Sequence, residues 1–186
     1  MAVSEQLRKG MVIRYQDELF VVQDFSTAQS GKQKPTVHVK LRSLKSGHVG
    51  ERTVDQLGKI DEVATEVRSM QYLYSSGHQR VFMDTESFEQ YSLGEDVLGN
   101  GVPFLVEEEV YRFLVAEGKV VALQLPPSVV LEVVDTAPVE HAGSGSNVYK
   151  EAKLASGLVI KLPLFIKNGD KVRVSTDKRE YLGKEH

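Results

Sequence analysis

Residues Ser26 to Pro35 carry the chain's best candidate for chemistry. They read Ser-Thr-Ala-Gln-Ser-Gly-Lys-Gln-Lys-Pro, a polar, lysine-bearing connection between two runs with strand character. Leu19-Phe20-Val21-Val22 precedes it, and Thr36 to Arg42, which alternates apolar and polar residues, follows it. Gly31 permits a sharp bend and Pro35 stiffens the return. Lys32 is therefore expected at or near the tip of a projecting hairpin. A lone lysine in a loop is ordinarily a solvated turn residue. Its surroundings in the chain are what give Lys32 weight.

Positive charge is concentrated around it. Between Ser26 and Arg52 stand Lys32, Lys34, Lys40, Arg42, Lys45 and Arg52, against the single acid Glu51. Such a patch can hold phosphates in a protein that is acidic overall, as this one is at −3. Lys40, Arg42, Lys45 and Arg52 are expected to share those phosphate contacts. Charge is uneven elsewhere too: residues 1–65 carry +2, residues 66–130 carry −6 and residues 131–186 carry +1.

No catalytic constellation emerges. The histidines (His38, His48, His78, His141 and His186) lack helical metal-ligand spacing and read as surface or turn residues. Gly31-Lys32 resembles the end of a phosphate-binding loop. Ser26, however, stands where glycine is required, and Gln33 where a hydroxyl must hold magnesium. Gly99-Asn100-Gly101 lacks the third glycine of a dinucleotide fingerprint, and there is no nucleophile elbow. Cysteine is absent, which excludes disulfides and thiolate chemistry and fits a reducing cytosol. The first ten residues lack the apolar stretch of a signal peptide, and no apolar run is long enough to span a bilayer. Neither a metal nor a cofactor is expected.

The elements that must position the lysine are short strands. Met11–Tyr15 and Leu19–Val22 flank Gln16-Asp17-Glu18. Thr36–Leu44 and His48–Val54 flank Lys45-Ser46-Gly47, and Ser69–Tyr74 and Arg80–Met83 flank Ser75–His78. Tyr111–Val115 and Val120–Leu125 flank Ala116–Lys119, and Leu158–Leu162 and Lys171–Val174 flank Pro163–Asp170. Helical signal is confined to Thr85–Gln90 or the stretch around Glu107–Glu109. Many short strands with evenly spaced turns predict an all-β protein of small barrels or sandwiches. The charge shifts, with Asp61–Thr65 and Pro126–Ser128 as junctions, predict three of them: residues 1–65, 66–130 and 131–186.

The chain resembles the bacterial elongation factor P family, which includes elongation factor P and its elongation-factor-P-like paralogue. Lys150-Glu151-Ala152, Gly157, Ile160, Leu162-Pro163, Ile166 and Gly169 follow the family's C-terminal signature, with Leu162 where valine is usual. Arg8-Lys9-Gly10-Met11, Val39-Lys40-Leu41-Arg42, Phe82-Met83-Asp84, Phe88-Glu89-Gln90, Leu125-Pro126, Glu132 to Thr136 and Glu180-Tyr181 match as well, in order along the chain. The resemblance implies an SH3-like N-terminal (KOW-like) barrel followed by two OB-type barrels. It further implies a cytoplasmic, monomeric, non-enzymatic translation factor that binds the ribosome beside P-site peptidyl-tRNA and relieves stalling at consecutive prolines.

Counted back from Val39-Lys40-Leu41-Arg42, Lys32 takes the place of the family's tip lysine, which a modifying enzyme often extends. Lys34 is its rival. The loop reads Ser30-Gly31-Lys32-Gln33, where the family usually has Pro-Gly-Lys-Gly, and is about two residues longer. Around Ala142 to Gly145 the family's Gly-Asp-Thr loop is replaced. The residues expected to face RNA are Arg8, Gly31, Lys32, Lys34, Lys40, Arg42, Lys45, Arg52, Tyr181 and Lys184. The competing reading is a general single-stranded RNA-binding OB-fold protein. It would need stacking aromatics beside the basic patch, and Ser26 to Arg52 contains none.

Overall fold

The computed structural model describes residues 7–29, 31, 34–138 and 149–186, and these form three five-stranded sheets. The protein is all-β. The first sheet has the order β4-β3-β2-β1-β5, from β1 (Val12–Tyr15), β2 (Glu18–Ala28), β3 (Thr36–Ser43), β4 (Val49–Thr53) and β5 (Asp61–Glu62). The second comprises β6 (Thr65–Ser76), β7 (Gln79–Asp84), β8 (Gln90–Leu93), β9 (Val110–Ala116) and β10 (Lys119–Gln124), in the order β10-β9-β6-β7-β8. The third contains β11 (Ser128–Thr136), β12 (Tyr149–Leu154), β13 (Val159–Pro163), β14 (Lys171–Ser175) and β15 (Tyr181–Glu185), in the order β13-β12-β11-β14-β15.

By internal contacts the chain forms two compact units. The first is Met1–Arg68 with Leu93–Gly99 and Phe113–Leu123, and the second is Ser69–Ser92 with Asn100–Arg112 and Gln124–His186.

In the first unit, Val12 and Ile13 are both buried although successive strand residues point to opposite faces. Sheet one is covered on both sides. Ile13 packs with Leu7, Met11, Val22, Val39 and Leu41 on one face. On the other, Val12 packs with Val21, Leu44, Leu114 and Val121. The unbroken apolar run Met11-Val12-Ile13 follows from that double burial.

The turn joining β1 to β2 is tight. Tyr15 pairs with Glu18, and Gln16 and Asp17 both take the left-handed conformation (φ 50° and 61°). That is the backbone of a two-residue hairpin whose twist matches its strands. Glu117 and Gly118 repeat it between β9 and β10 (φ 51° and 74°).

In the second unit the third sheet wraps a core of Leu131, Val133, Leu154, Leu162, Ile166, Val172 and Val174, with Phe104 packed into it. Tyr72, Phe82 and Tyr111 form an aromatic group beside it, with ring centroids 5.1 Å and 6.3 Å from Phe82.

Two expectations are corrected. The helix expected at Thr85–Gln90 is a turn. The Asp84 carboxylate accepts from the backbone N–H groups of Glu86 (2.8 Å) and Ser87 (3.0 Å), and Phe88 has a positive φ of 62°, which a right-handed helix forbids. Glu107–Glu109 is likewise a turn, with Glu108 at φ 70°. The short helices instead lie at Val54–Leu57 and Glu95–Leu98. Within the expected junction Asp61–Thr65, Asp61–Glu62 forms a short strand paired with β1 through Ile13 and Arg14. Strands β13 and β14 flank Pro163–Asp170, with β13 paired to β12, and β14 to β11 and β15.

Candidate functional site

The lysine-bearing segment hangs from an arm built by β2 and β3. Strand β2 has 11 residues and β1 only 4, so β1 covers β2 from Glu18 to Val21 and no further. Between Val22 and Asp24 the register with β3 shifts by one residue. A bulge of this kind bends a strand and sharpens its twist. Past it β2 pairs with β3 alone, rung by rung from Asp24 opposite Lys40 to Ala28 opposite Thr36. Those five residues extend about 14 Å. Strand β4 follows β3 only as far as His38, so the last two rungs have no neighbouring strand on that side.

Ser26, Thr27, Ala28 and Gln29 are exposed. Phe25 braces the arm at its root by packing against the core of the first unit. The segment read from sequence as a loop beginning at Ser26 is therefore strand as far as Ala28, and the true connection is residues 29–35.

Within that connection Gly31 is exposed, at φ +59°, with nothing within 4 Å of where a Cβ would stand. Lys34 and Pro35 are exposed. Lys32 lies outside the described residues, as do Ser30, Gln33 and the segment 139–148 that holds the replaced Gly-Asp-Thr loop.

The other cations are divided between the two faces of the sheet. Lys40 lies directly opposite Asp24 on one side and Glu51 on the other, and opposed residues share a face. Lys40 thus stands in a row of alternating charge. Arg52 lies opposite Val39, so it projects from the other face of the sheet, and its Nη1 donates to the Glu51 carbonyl at 2.8 Å. Lys45 sits past the far end of β3 from Lys34, with its Nζ 3.7 Å from Glu18. Arg42 is half-buried, and burial pushes its guanidinium below the usual value. A side chain added at Gly99 would meet Arg42 Nη1 at 3.5 Å, which identifies Arg42 as a packing residue as much as a surface cation. Lys40 and Arg42, two residues apart on β3, thus share one face of the sheet, and Arg52 stands on the other.

Arg8 is tied to Glu62 at 2.5 Å. Tyr181 and Lys184 belong to the second unit. Tyr181 is half-buried against the core of the third sheet, and Lys184 Nζ lies 3.0 Å from Asp170. The Asp170 carboxyl is held below its usual value, first by the Lys167 backbone N–H and then by Lys184.

Two residues with a part in the arm escaped the sequence reading. Asp24 accepts from the Phe25 N–H at 2.9 Å, and Lys9 Nζ reaches it at 2.7 Å. Lys9, the Phe25 N–H and Lys40 hold the Asp24 carboxyl below its usual value, Lys9 most strongly. A carboxyl depressed in the folded state stabilises the fold above its unfolded value near 3.8. That contribution disappears as pH falls through the lower folded value. Lys9→Met should return the Asp24 carboxyl upward toward the ordinary range. An NMR titration of the side-chain carboxyl checks this, and an unchanged titration would mean that the pair does not form in solution.

Among the described residues no group of three or more His, Asp or Glu side chains could hold a metal ion. No described helix is long and apolar enough to cross a membrane. What the arrangement offers chemically is a two-stranded antiparallel arm whose connection includes the exposed Gly31 and Lys34.

Comparison with known proteins accounts for the whole chain. Residues 4–56 match the family model of the elongation factor P KOW-like domain, residues 65–123 that of the elongation factor P OB domain, and residues 129–184 that of the elongation factor P C-terminal region. An elongation factor P of Nitratidesulfovibrio vulgaris (strain DP4) is 38% identical over 185 residues, covering 100% of both chains. One of Dictyoglomus turgidum is 38% identical over 173 residues, 93% of this chain and 94% of its own. Among solved structures, a eukaryotic translation initiation factor 5A from Methanococcus jannaschii aligns with 64% of this chain and 90% of its own, at 18% identity and a TM-score of 0.44.

Proposed function

The chain belongs to the elongation factor P family, and on that premise we propose that this translation elongation factor binds the ribosome beside P-site peptidyl-tRNA. There it promotes peptide bond formation at stalling sequences such as consecutive prolines. The observation that carries this reading is the β2–β3 arm. It is a two-stranded projection past β4, and its connecting residues include the exposed Gly31 and Lys34 on either side of Lys32.

The physical task suits such an arm. A lysine on a flexible stem delivers three hydrogen-bond donors and a point charge into a narrow RNA cavity, where phosphate and ribose oxygens accept them. No bond need be made or broken by the protein. Holding the peptidyl-tRNA end in reactive geometry lowers the entropic cost of the ribosome's own reaction. A stiff arm matters because positional error at its tip weakens that effect.

Lys32 is the proposed tip residue and the proposed site for a lysine-modifying enzyme, with Lys34 beside it. The proposed domains are residues 1–65, 66–130 and 131–186. A general single-stranded RNA binder would need aromatic faces along its cationic surface, and the ring at the arm's root, Phe25, is tucked against the core instead.

The test is a reconstituted translation system reading two templates, one with a run of prolines and one without. Added protein should raise yield from the first and leave the second unchanged. Equal yield from the proline template with and without the protein would contradict the reading.

A further inference from the structure

In the second unit a cavity of about 360 Å3 lies between the end of the β6–β7 hairpin, residues 102–105 and the β12–β13 turn. We propose that this cavity is a phosphate-binding subsite with Arg80 as its cation.

Its lining holds hydrogen-bond donors and no carboxylate. Arg80 and Ser75 are direct cross-strand partners, which places them on one face. The described hydrogen bond of the Arg80 guanidinium is a long one, 3.4 Å from Nη1 to the carbonyl of its neighbour Gln79. Among the described residues no carboxylate pairs with it. The Tyr72 hydroxyl and Ser75 Oγ lie 2.8 Å apart. Two hydroxyls sharing one hydrogen bond use one of their two protons, so the other is left to donate. Ser156 Oγ accepts from the Leu158 N–H at 3.4 Å, and its own proton is likewise available.

A surplus of donors around one guanidinium, with no competing acid, selects an anion with several acceptor oxygens. The selection stands out against its setting, since residues 66–130 carry −6. The volume lies within the range of small-ligand sites. The apolar residues Val102, Pro103 and Leu105 along one wall suit the carbon skeleton of a phosphate ester. The larger cavity of the same unit, about 660 Å3, sets Glu109 and Glu132 against Arg112 and Lys171 and favours neither sign of charge.

The phosphate could be carried by a small ester or by an RNA backbone, and one experiment separates them. The full chain is titrated by NMR with inorganic phosphate and, separately, with a short ribo-oligonucleotide, at constant ionic strength. Saturable shifts are expected at the amides of Ser75, Arg80, Ser156 and Gly157. Arg80→Gln should weaken the binding by about tenfold or more, the usual loss for a charged hydrogen bond. Ser156→Ala should weaken it less and leave the fold untouched. Tighter binding of the oligonucleotide assigns the site to RNA, and tighter binding of free phosphate assigns it to a small ester. Shifts scattered over surface lysines and unchanged by Arg80→Gln, or no shift at these four amides with either ligand, would overturn the proposal. The outcome is independent of the arm, so it stands or falls separately from the proposed role in translation.

Discussion

Lys32→Ala should abolish most of the factor's stimulation of proline-run synthesis while leaving the fold in place. In sequence the residue falls between Ala28 and Thr36, which form the last paired rung described for the arm. Its described neighbours there, Gly31 and Lys34, are exposed. Substitutions at such positions usually change stability by less than about 0.5 kcal/mol. The functional loss should be large because the arm's proposed work is concentrated in one cation. Thermal unfolding and the proline-template assay on the same preparation separate the two effects. Full activity of Lys32→Ala would remove Lys32 from the mechanism. Loss of activity in Lys34→Ala, with Lys32→Ala active, would move the tip by two residues.

The second large effect is on stability. Phe82 is fully buried, 5.1 Å from the Tyr72 ring and 6.3 Å edge-on from the Tyr111 ring. Tyr111 in turn ties the chain together locally. Its hydroxyl accepts from the Val106 N–H at 2.7 Å and donates to the Phe104 carbonyl at 3.3 Å, and burial pushes the phenol up from its usual value. Phe82→Ala removes the ring between the two tyrosines and should cost about 3–5 kcal/mol. That is a large part of the roughly 5–15 kcal/mol that holds a typical domain folded. Urea unfolding followed by tyrosine fluorescence measures it. Phe82→Leu should recover part of the loss. A cost below about 1 kcal/mol would mean that the three rings do not pack together as described.

The strands and their turns were legible because local chemistry fixes them. The expected turns Gln16–Glu18 and Ala116–Lys119 sit between apolar runs, and in the structure each tightens to a two-residue hairpin, at Gln16-Asp17 and Glu117-Gly118. The burial of both Val12 and Ile13 was foreshadowed by an unbroken apolar run.

What the sequence could not show was whatever depends on register. Counting charge from Ser26 to Arg52 placed six cations together. Pairing then put Lys40 between Asp24 and Glu51 and turned Arg52 to the opposite face. A window along the sequence ignores the period-two alternation of a strand, and it cannot see acids that arrive from a neighbouring strand. Arg42 reads as one more cation until its packing beside Gly99 is known. The misplaced helices have a related cause. Glu107–Glu109 and Thr85–Gln90 have helix-compatible composition, but Glu108 and Phe88 are forced to positive φ by the strands they join. The arm's length was underestimated for the same reason: polar Ser26 and Thr27 look like loop, and are strand because β3 pairs with them.

The central claim is that the β2–β3 connection reaches the end of the P-site tRNA. The chain contains no cysteine, so a single one introduced by Gln29→Cys, at an exposed position on the arm, is a unique attachment point. An iron chelate tethered there and bound to ribosomes holding peptidyl-tRNA would cut nearby RNA by hydroxyl radicals. The expected result is cleavage at the tRNA 3′ end and in the ribosomal RNA that surrounds it. Cleavage confined to other regions of the ribosome, by a protein that still stimulates proline-run synthesis, would contradict the account.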